Sequence, residues 1–334
     1  MAKIKPAQGS PHARIMGVGG YRPTRVVPNE VILETIDSSD EWIRSRSGIS
    51  TRHWASDEET VAAMSIEASG KAIADAGITA DQIGAVVVST VSHFKQTPAI
   101  ATEIAHKVGA GKAPAFDISA GCAGFGYGLT IAKGMVVDGS AEYVLVIGVE
   151  RLSDLTDLED RATAFLFGDG AGAVVVGPSD VPHIGPTVWG SEGDKAETIK
   201  QTAPWSDYRG GNGPAKFPAI TQEGQAVFRW AVFEMAKVAQ QALEASGITA
   251  DDLDVFIPHQ ANMRIIDSMV KTLKLPEHVT VARDIETTGN TSAASIPLAM
   301  ERLLATGQAK SGDTALVIGF GAGLVYAAAV VTLP

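Results

Sequence analysis

A chain of 334 residues, 45% of them apolar, can bury a large core and is not a disordered polymer. Its formal net charge of -11 argues against a nucleic-acid partner. No apolar run approaches about 18 residues, the stretch Met1 to Pro11 has no signal-peptide core, and a single cysteine excludes an intrachain disulfide framework, so no membrane span is expected and a reducing cytoplasm is.

Arg14 to Gly20 reads as a first short strand. Asp37 to Arg52 is polar and turn-rich, with Trp42 beside Arg44, Arg46 and Arg52. Such a group is either a solvated helix end with one anchoring aromatic, or a site that stacks a flat ring and pairs phosphates. Thr60 to Ala76 has helical periodicity, and Gly77 stops it before a buried strand, Ile83 to Ser89. Thr97-Pro98 opens another helix. Ala115 to Ile118 ends a strand, and a helical pattern follows through Leu129, Ile131, Ala132, Met135 and Val136. Cys122 lies at this strand-to-helix corner. A thiolate there is stabilised by the helix N-terminus, and backbone N–H groups can face a developing oxyanion. The alternative is a buried, inert Cys. Phe165 to Val176 reads as a hairpin with a Gly-rich turn, without nucleotide-loop spacing. Ser179 to Lys216 is an irregular excursion linking two halves, and Gln222 to Ala245 is helical.

The second half repeats the first. Gly77-Ile78-Thr79-Ala80-Asp81 returns as Gly247-Ile248-Thr249-Ala250-Asp251, each before a strand. Leu145-Val146-Ile147-Gly148 returns as Leu316-Val317-Ile318-Gly319. Aligning Gly121 to Gly139 with Gly289 to Gly307 sets Cys122 opposite Asn290, and Ser89 opposite His259. Two α/β halves, 1–185 and 186–334, would pack as one pseudo-symmetric body with corresponding strand ends near a common axis. Sites in open α/β sheets lie beyond the C-terminal strand ends, where Cys122, His259 and Asn290 all fall. His259 is either a satisfied structural histidine or a neutral imidazole that donates or moves a proton. Asn290 is either a helix cap or an amide N–H aimed at an oxygen that becomes negative. The three residues suit cysteine hydrolysis or acyl transfer with carbon–carbon bond formation. The seven histidines show no His-x-x-x-His spacing and have no partner cysteines, so a metal centre is not expected.

Three blocks carry a resemblance: Ser119-Ala120-Gly121-Cys122-Ala123-Gly124-Phe125, Pro258-His259-Gln260-Ala261-Asn262, and Gly289-Asn290-Thr291-Ser292-Ala293-Ala294-Ser295-Ile296-Pro297. In this order they resemble β-ketoacyl-acyl carrier protein synthase III, and its actinobacterial members most. The resemblance covers nearly the whole chain. It implies a thiolase-like α/β fold, two pseudo-symmetric halves in a layered αβαβα body. It also implies a cytoplasmic homodimer with no cofactor, for which acyl-coenzyme A and malonyl-acyl carrier protein are substrates and neither membrane nor nucleic acid is a partner.

By the same resemblance Cys122 takes the acyl primer as a thioester, and the malonyl group decarboxylates to an enolate that attacks it. His259 and Asn290 stabilise the enolate oxygen. The N–H groups of Cys122 and Ala322 form the oxyanion hole, and Phe320 shields the malonyl carboxylate. Trp42 stacks on the adenine of coenzyme A with Arg161 on its other side and Arg46 near the phosphates. Arg264, with Lys271 and Lys274 at spacings of seven and three, makes a basic helix face for the acidic carrier protein. Thr97, contributed by the dimer partner, lines the acyl pocket. Where some acetyl-preferring members carry Phe, a smaller Thr leaves room for methylenes worth about 0.8 kcal/mol each, so short branched and straight primers are expected beside acetyl. A priming enzyme of a polyketide pathway would share this machinery. A thiolase would show a second catalytic Cys, a hydroxymethylglutaryl-type synthase a Glu base, and a scaffold homologue a lost Cys, His or Asn.

Overall fold

The computed structural model describes residues 3–5, 7–208 and 216–334. Residues 209–215 of the predicted Ser179–Lys216 excursion, and 1, 2 and 6 of the N-terminal stretch, lie outside the described residues. Two five-stranded sheets carry the fold. The first contains β1 (His12–Tyr21), β2 (Ile83–Ser89), β3 (Ala115–Ile118), β4 (Tyr143–Arg151) and β5 (Asp169–Ser179), in the order β1-β5-β4-β2-β3. The second contains β6 (Val188–Gly190), β7 (Val255–Pro258), β8 (Thr280–Val281), β9 (Thr314–Gly321) and β10 (Val325–Thr332), in the order β6-β10-β9-β7-β8. Strand for strand the two orders agree. So do the directions: the first two pairings of each sheet are antiparallel and the last two parallel.

The helices explain the hydrophobic patterning. They are α1 (Asp40–Ser47), α2 (Val61–Asp75), α3 (Ile100–Val108), α4 (Gly124–Asp138), α5 (Gly224–Ser246), α6 (Met263–Leu273) and α7 (Ser295–Ala305). Thr60 caps α2 by accepting the Ala63 N–H at 3.1 Å, and Met64, Ala68 and Ala72 repeat down its buried face. Alternate residues of β2 point to opposite faces of the sheet. Val86 and Val88 join the outer core with α2 and α3, while Ala85 and Val87 join the central core with α4 and α7. In the second sheet Phe256, Leu316 and Ile318 face α5 and α6, and Ile257 and Val317 face the central core. Helix, sheet, helix pair, sheet and helix thus stack as five layers, the expected thiolase-like architecture. A strand buried on both faces reads as a continuous apolar run, as Ala85-Val86-Val87-Val88 does.

Several readings of the sequence change. Asp37 to Arg52 contains a full helix, α1, capped by Ser39, and Arg52 is fully buried. Its guanidinium donates to Asn29 and to the Phe165 carbonyl, so it is not a surface phosphate ligand. Phe165 to Val176 is not a hairpin. Residues 161–166 are a turn, Phe167 makes an isolated bridge to Asn290, and one long strand follows. The glycines there permit close packing: a Cβ on Gly172 would lie 2.6 Å from Pro297 of α7.

The helix register also shifts. Short 3-10 turns, Gly121–Ala123 and Ser292–Ala294, lead directly into α4 and α7, and both open on a residue with φ of 47°. Cys122 therefore corresponds to Ala293, not to Asn290. α7 has 11 residues and α4 has 15, so matching their C-terminal glycines misaligns their starts. The match of Ser89 with His259 holds. Ser89 pairs with Gly148, and the His259 N–H bonds Ile318, next to the equivalent Gly319.

At the junction the halves interlock. A Cβ on Gly148 would overlap the Ala293 carbonyl, and one on Gly319 would lie 2.9 Å from the Cys122 carbonyl oxygen. Each sheet's central strand thus receives the other half's helix start against bare backbone. Gly148→Ala is expected to destabilise the protein by about 1–3 kcal/mol through overpacking, read as a lowered unfolding midpoint in urea.

Candidate active site

One cavity of about 210 Å³ opens at this junction. Cys122, His259, Asn290, Phe320 and Ala322 all line it, together with Val91, Ser292 and Trp230. Three of the sequence blocks thereby converge from α4, the end of β7 and the segment before α7. Apolar residues, among them Leu152, Leu155, Ile199 and Ile220, form most of the remaining wall.

Cys122 occupies the turn before α4, as its sequence position requires. The helix N-terminus is in place, but burial is the larger effect. Burial pushes the thiol up to about 12, against the polar influence of Ser292 and its own N–H, and the nearby Glu150 carboxyl adds to the rise. The resting group is a thiol, not the thiolate expected from the helix alone. Gly321 lies hard against it: a Cβ there would sit 2.8 Å from Sγ and 2.9 Å from the Cys122 nitrogen. The Ala322 nitrogen lies 3.3 Å from where a Gly121 Cβ would be.

His259 is buried, and burial depresses its imidazole to about 3. It is therefore neutral at neutral pH. Nδ1 and Ser295 Oγ are 2.7 Å apart. The Gln260 N–H donates to the same Oγ at 3.3 Å, and the Ser295 hydroxyl, with no other acceptor among the described residues, donates its proton to Nδ1. The tautomer assigned by this network carries its proton on Nε2, the state needed to donate to an oxygen. The Phe320 ring stands edge-on to the imidazole at 5.3 Å.

Asn290 is clamped by backbone. Its N–H donates to Leu166 at 2.8 Å and its carbonyl accepts from Gly168 at 3.0 Å, the pairing that keeps 165–168 out of a hairpin. The side-chain Oδ1 accepts the Ser292 N–H at 2.8 Å. That contact is cap-like, yet it fixes the amide with Nδ2 free: among the described residues Nδ2 has no partner. A donor held this way is oriented before any substrate arrives.

Beside the cavity lies a more open depression lined by Trp42, Arg46, Phe165, Phe228, Arg229 and Arg264, with Gln222 shared between the two. The Arg161 guanidinium lies 4.9 Å over the Trp42 ring, and Phe165 meets that ring edge-on at 5.4 Å. Arg264 lies 4.8 Å over Phe228. Asn262 caps α6 by accepting the Arg264 N–H at 2.9 Å, and its Nδ2 donates to the Arg46 carbonyl at 2.9 Å, tying the two arginine-bearing helices together. Among the described residues, Arg46, Arg161, Arg229 and Arg264 form no ion pair.

Other positions are not gathered in. Lys271 lies on α6, but Lys274 has left the helix as a left-handed cap with φ of 53°, so the two do not share one helix face as the spacing suggests. Thr97 is exposed and does not line the cavity that holds Cys122 in its own chain. Sequence reasoning missed Ser292, Ser295, Glu150 and Arg229. The two serines stand within the third block, but only the folded backbone shows what they touch. Among the described residues, no three His, Cys, Asp or Glu side chains converge as a metal site, and no helix is long and apolar enough to cross a membrane.

Comparison with known proteins now bears on this geometry. Residues 116–193 match the model of 3-oxoacyl-[acyl-carrier-protein] synthase III, and residues 243–333 match its C-terminal model. A Streptomyces glaucescens β-ketoacyl-[acyl-carrier-protein] synthase III is 87% identical over the whole of both chains. The chain belongs to this family. The mycobacterial synthase III of Mycobacterium marinum is 54% identical, covering 100% of this chain and 99% of that one. Among solved structures, the priming β-ketosynthase of the R1128 polyketide biosynthetic pathway superposes with a TM-score of 0.95 at 46% identity, covering 100% of this chain and 98% of that one. The synthase III of Aquifex aeolicus VF5 gives 0.87 at 36% identity, covering 96% and 99%. The synthase III blocks are those that line the cavity.

Gly321→Ala is expected to slow alkylation of Cys122 by iodoacetamide about tenfold or more, since a methyl group at van der Waals overlap with the sulfur displaces it by ~1–3 kcal/mol of strain. Mass spectrometry of the labelled peptide measures it.

Proposed function

We propose that this synthase III condenses an acyl-coenzyme A primer with malonyl-acyl carrier protein through Cys122, His259 and Asn290, releasing coenzyme A and carbon dioxide. The observation that carries this reading is the shared cavity, with a thiol, an Nε2–H donor and a free amide donor around one space. Cys122 forms the acyl thioester, and its N–H with that of Ala322 holds the tetrahedral oxyanion. The malonyl thioester then enters. His259 and Asn290 donate to its carbonyl oxygen as loss of carbon dioxide makes that oxygen an enolate, and the enolate carbon attacks the Cys122 thioester. A neutral imidazole suits this role, because it donates without giving up a full proton. Phe320, packed on the imidazole, shields the carboxylate end. Charge forms where donors already point, so they act on the transition state more than on the ground state.

The depression beside the cavity is read as the coenzyme A and carrier site. Adenine would enter between Trp42 and Arg161, which now touch. Arg46 would face the phosphates, and Arg264, joined by Arg229 and with Lys271 and Lys274 farther out, would meet the acidic carrier. The halves 1–185 and 186–334 supply nucleophile and donors respectively. A homodimer is part of the proposal: β3 is an open sheet edge of half-buried residues, and Thr97, exposed in one protomer, would close the partner's acyl pocket. The likeness to a polyketide priming enzyme favours one second reading, the same chemistry on a different carrier protein.

The test separates the half-reactions. Cys122→Ala should abolish both acylation and condensation. His259→Ala and Asn290→Ala should keep acylation from radiolabelled acyl-coenzyme A but lose about 10²–10³-fold in condensation. Loss of acylation with intact condensation, or no product from any primer with malonyl-acyl carrier protein, overturns the reading. In a primer series, isobutyryl and butyryl should turn over beside acetyl, and strict acetyl preference would refute the open pocket at Thr97. Trp42→Ala should raise KM for acyl-coenzyme A with little change in kcat.

A further inference from the structure

Behind the nucleophile stands a carboxyl that the condensation scheme leaves unused. Glu150, at the end of β4, is fully buried. A ring of donors surrounds it. Ser92 Oγ donates to Oε2 at 2.7 Å, the Val91 N–H at 3.1 Å and Thr90 at 3.3 Å, while Ser292 Oγ donates to Oε1 at 3.2 Å. Ser292 also lies close to Cys122 and lines the same cavity, and with its own proton directed at Glu150 its oxygen is left to accept from the thiol. Its backbone holds φ of 47°, a conformation that few non-glycine residues adopt. One hydroxyl thus bridges the nucleophilic sulfur and a buried carboxyl. Among the described residues no cation pairs with that carboxyl: Arg151, its neighbour, turns its guanidinium to Asp57 and Asp154.

We propose that Ser292 and Glu150 form a proton route from the Cys122 thiol into the protein interior, with Ser292 as relay and Glu150 as the positioning residue that takes up the proton when the thioester forms. The inference rests on Cys122 being the nucleophile. The step balances. The thiol S–H bond breaks as its proton passes to Ser292 Oγ, and the Ser292 hydroxyl proton passes to Glu150 Oε1. Sulfur attacks the acyl carbonyl, the tetrahedral intermediate expels the coenzyme A thiolate, and that thiolate takes a proton from the Ser292 hydroxyl as Glu150 returns its own to Ser292. His259 keeps its Nε2 proton throughout, free for the later enolate. The need for such a route follows from the buried thiol, which does not ionise unaided near neutral pH.

The titratable group facing Glu150 is Cys122, across Ser292. The elements around it otherwise present the Thr90, Ser92 and Ser292 hydroxyls and the Val91 N–H. Burial raises Glu150 to about 7. Below that pH it is already protonated and cannot accept. Above it the route opens, so thiol reactivity should rise as pH rises through about 7.

The experiment is alkylation of the whole protein by iodoacetamide, followed from about pH 5 to 9, with Cys122→Ala as the blank. Wild type should show a step near 7. Glu150→Gln keeps the shape and the hydrogen bonds but cannot take a proton. It should lose the step and react about tenfold or more slowly at neutral pH. A carboxylate that acted on Cys122 only through its negative charge would give the opposite sign, since removing it lowers the thiol pKa and speeds the reaction. Ser292→Gly suits the positive φ and deletes the hydroxyl, so it cuts the route even if Glu150→Gln does not fold. It too should lose the step. Either folded variant reacting at neutral pH at least as fast as wild type, or keeping the wild-type step, overturns the proposal. Alkylation needs no acyl substrate, so this failure is distinct from a failed condensation assay.

Discussion

The structure depends on one close contact made twice: the start of each central helix lies on a glycine in the middle strand of the opposite sheet. Gly148 receives Ala293 and Gly319 receives Cys122 and Ala123, at distances that leave no space for a side chain. Because β4 and β9 are equivalent strands, the two contacts are related by the internal duplication. Their consequence is functional. The Cys122 backbone is set by the second half, although the residue belongs to the first. In return Asn290 is held by Leu166 and Gly168 of the first half. Neither half positions its own reactive group alone, so the site exists only in the assembled pair.

Divergence between the halves built the chemistry on an equal frame. His259 stands where the first half has Ser89, and Ser295, which fixes the imidazole, stands where that half has Gly124. Cys122 stands where the second half has Ala293. Each half thus keeps a small, silent residue opposite the other's reactive one. Such silence matters sterically, because two full side chains at the axis would fill the space the substrate needs. The Ser89 hydroxyl is buried without a hydrogen-bond partner among the described residues, a cost that a larger residue at position 124 would compound through direct overlap.

The parts of this arrangement legible in the sequence were those written in local order. The helical period of Thr60 to Ala76, the Gly77 stop and the apolar strand Ile83 to Ser89 each report a local environment, and α2 and β2 fall there. The repeated Gly-Ile-Thr-Ala-Asp stretches each form a capped 3-10 turn before a strand, so the duplication was real at the level of turns. Where a residue's reason lies across the molecule, reading failed. The glycines of 168–172 look like a turn, but the contact they permit is with Pro297, more than a hundred residues later. Arg52 looks like a surface cation, and only the fold shows the carbonyls that enclose it. The residues that tune Cys122 and His259 are serines and a glutamate of ordinary local context. Their role is visible only as hydrogen bonds.

Charge shows the same division of scale. The chain as a whole is acidic, at -11, yet the mouth of the cavity gathers Arg46, Arg161, Arg229 and Arg264 without an acidic partner among the described residues. Two of these cations are parked on aromatic faces, Arg161 on Trp42 and Arg264 on Phe228. A guanidinium resting on a ring keeps its hydrogen-bonding edge free while its position is held, which lowers the ordering needed when a phosphate arrives. A net-acidic chain with one cluster of arginines free of acidic partners among the described residues favours approach of an acidic molecule at that cluster. Under the proposed reading, approach at that cluster would bring a carrier's thioester arm beside the cavity that holds Cys122. In that reading the net negative charge and the basic cluster act together, and weakening either would cost encounter rate before it cost chemistry.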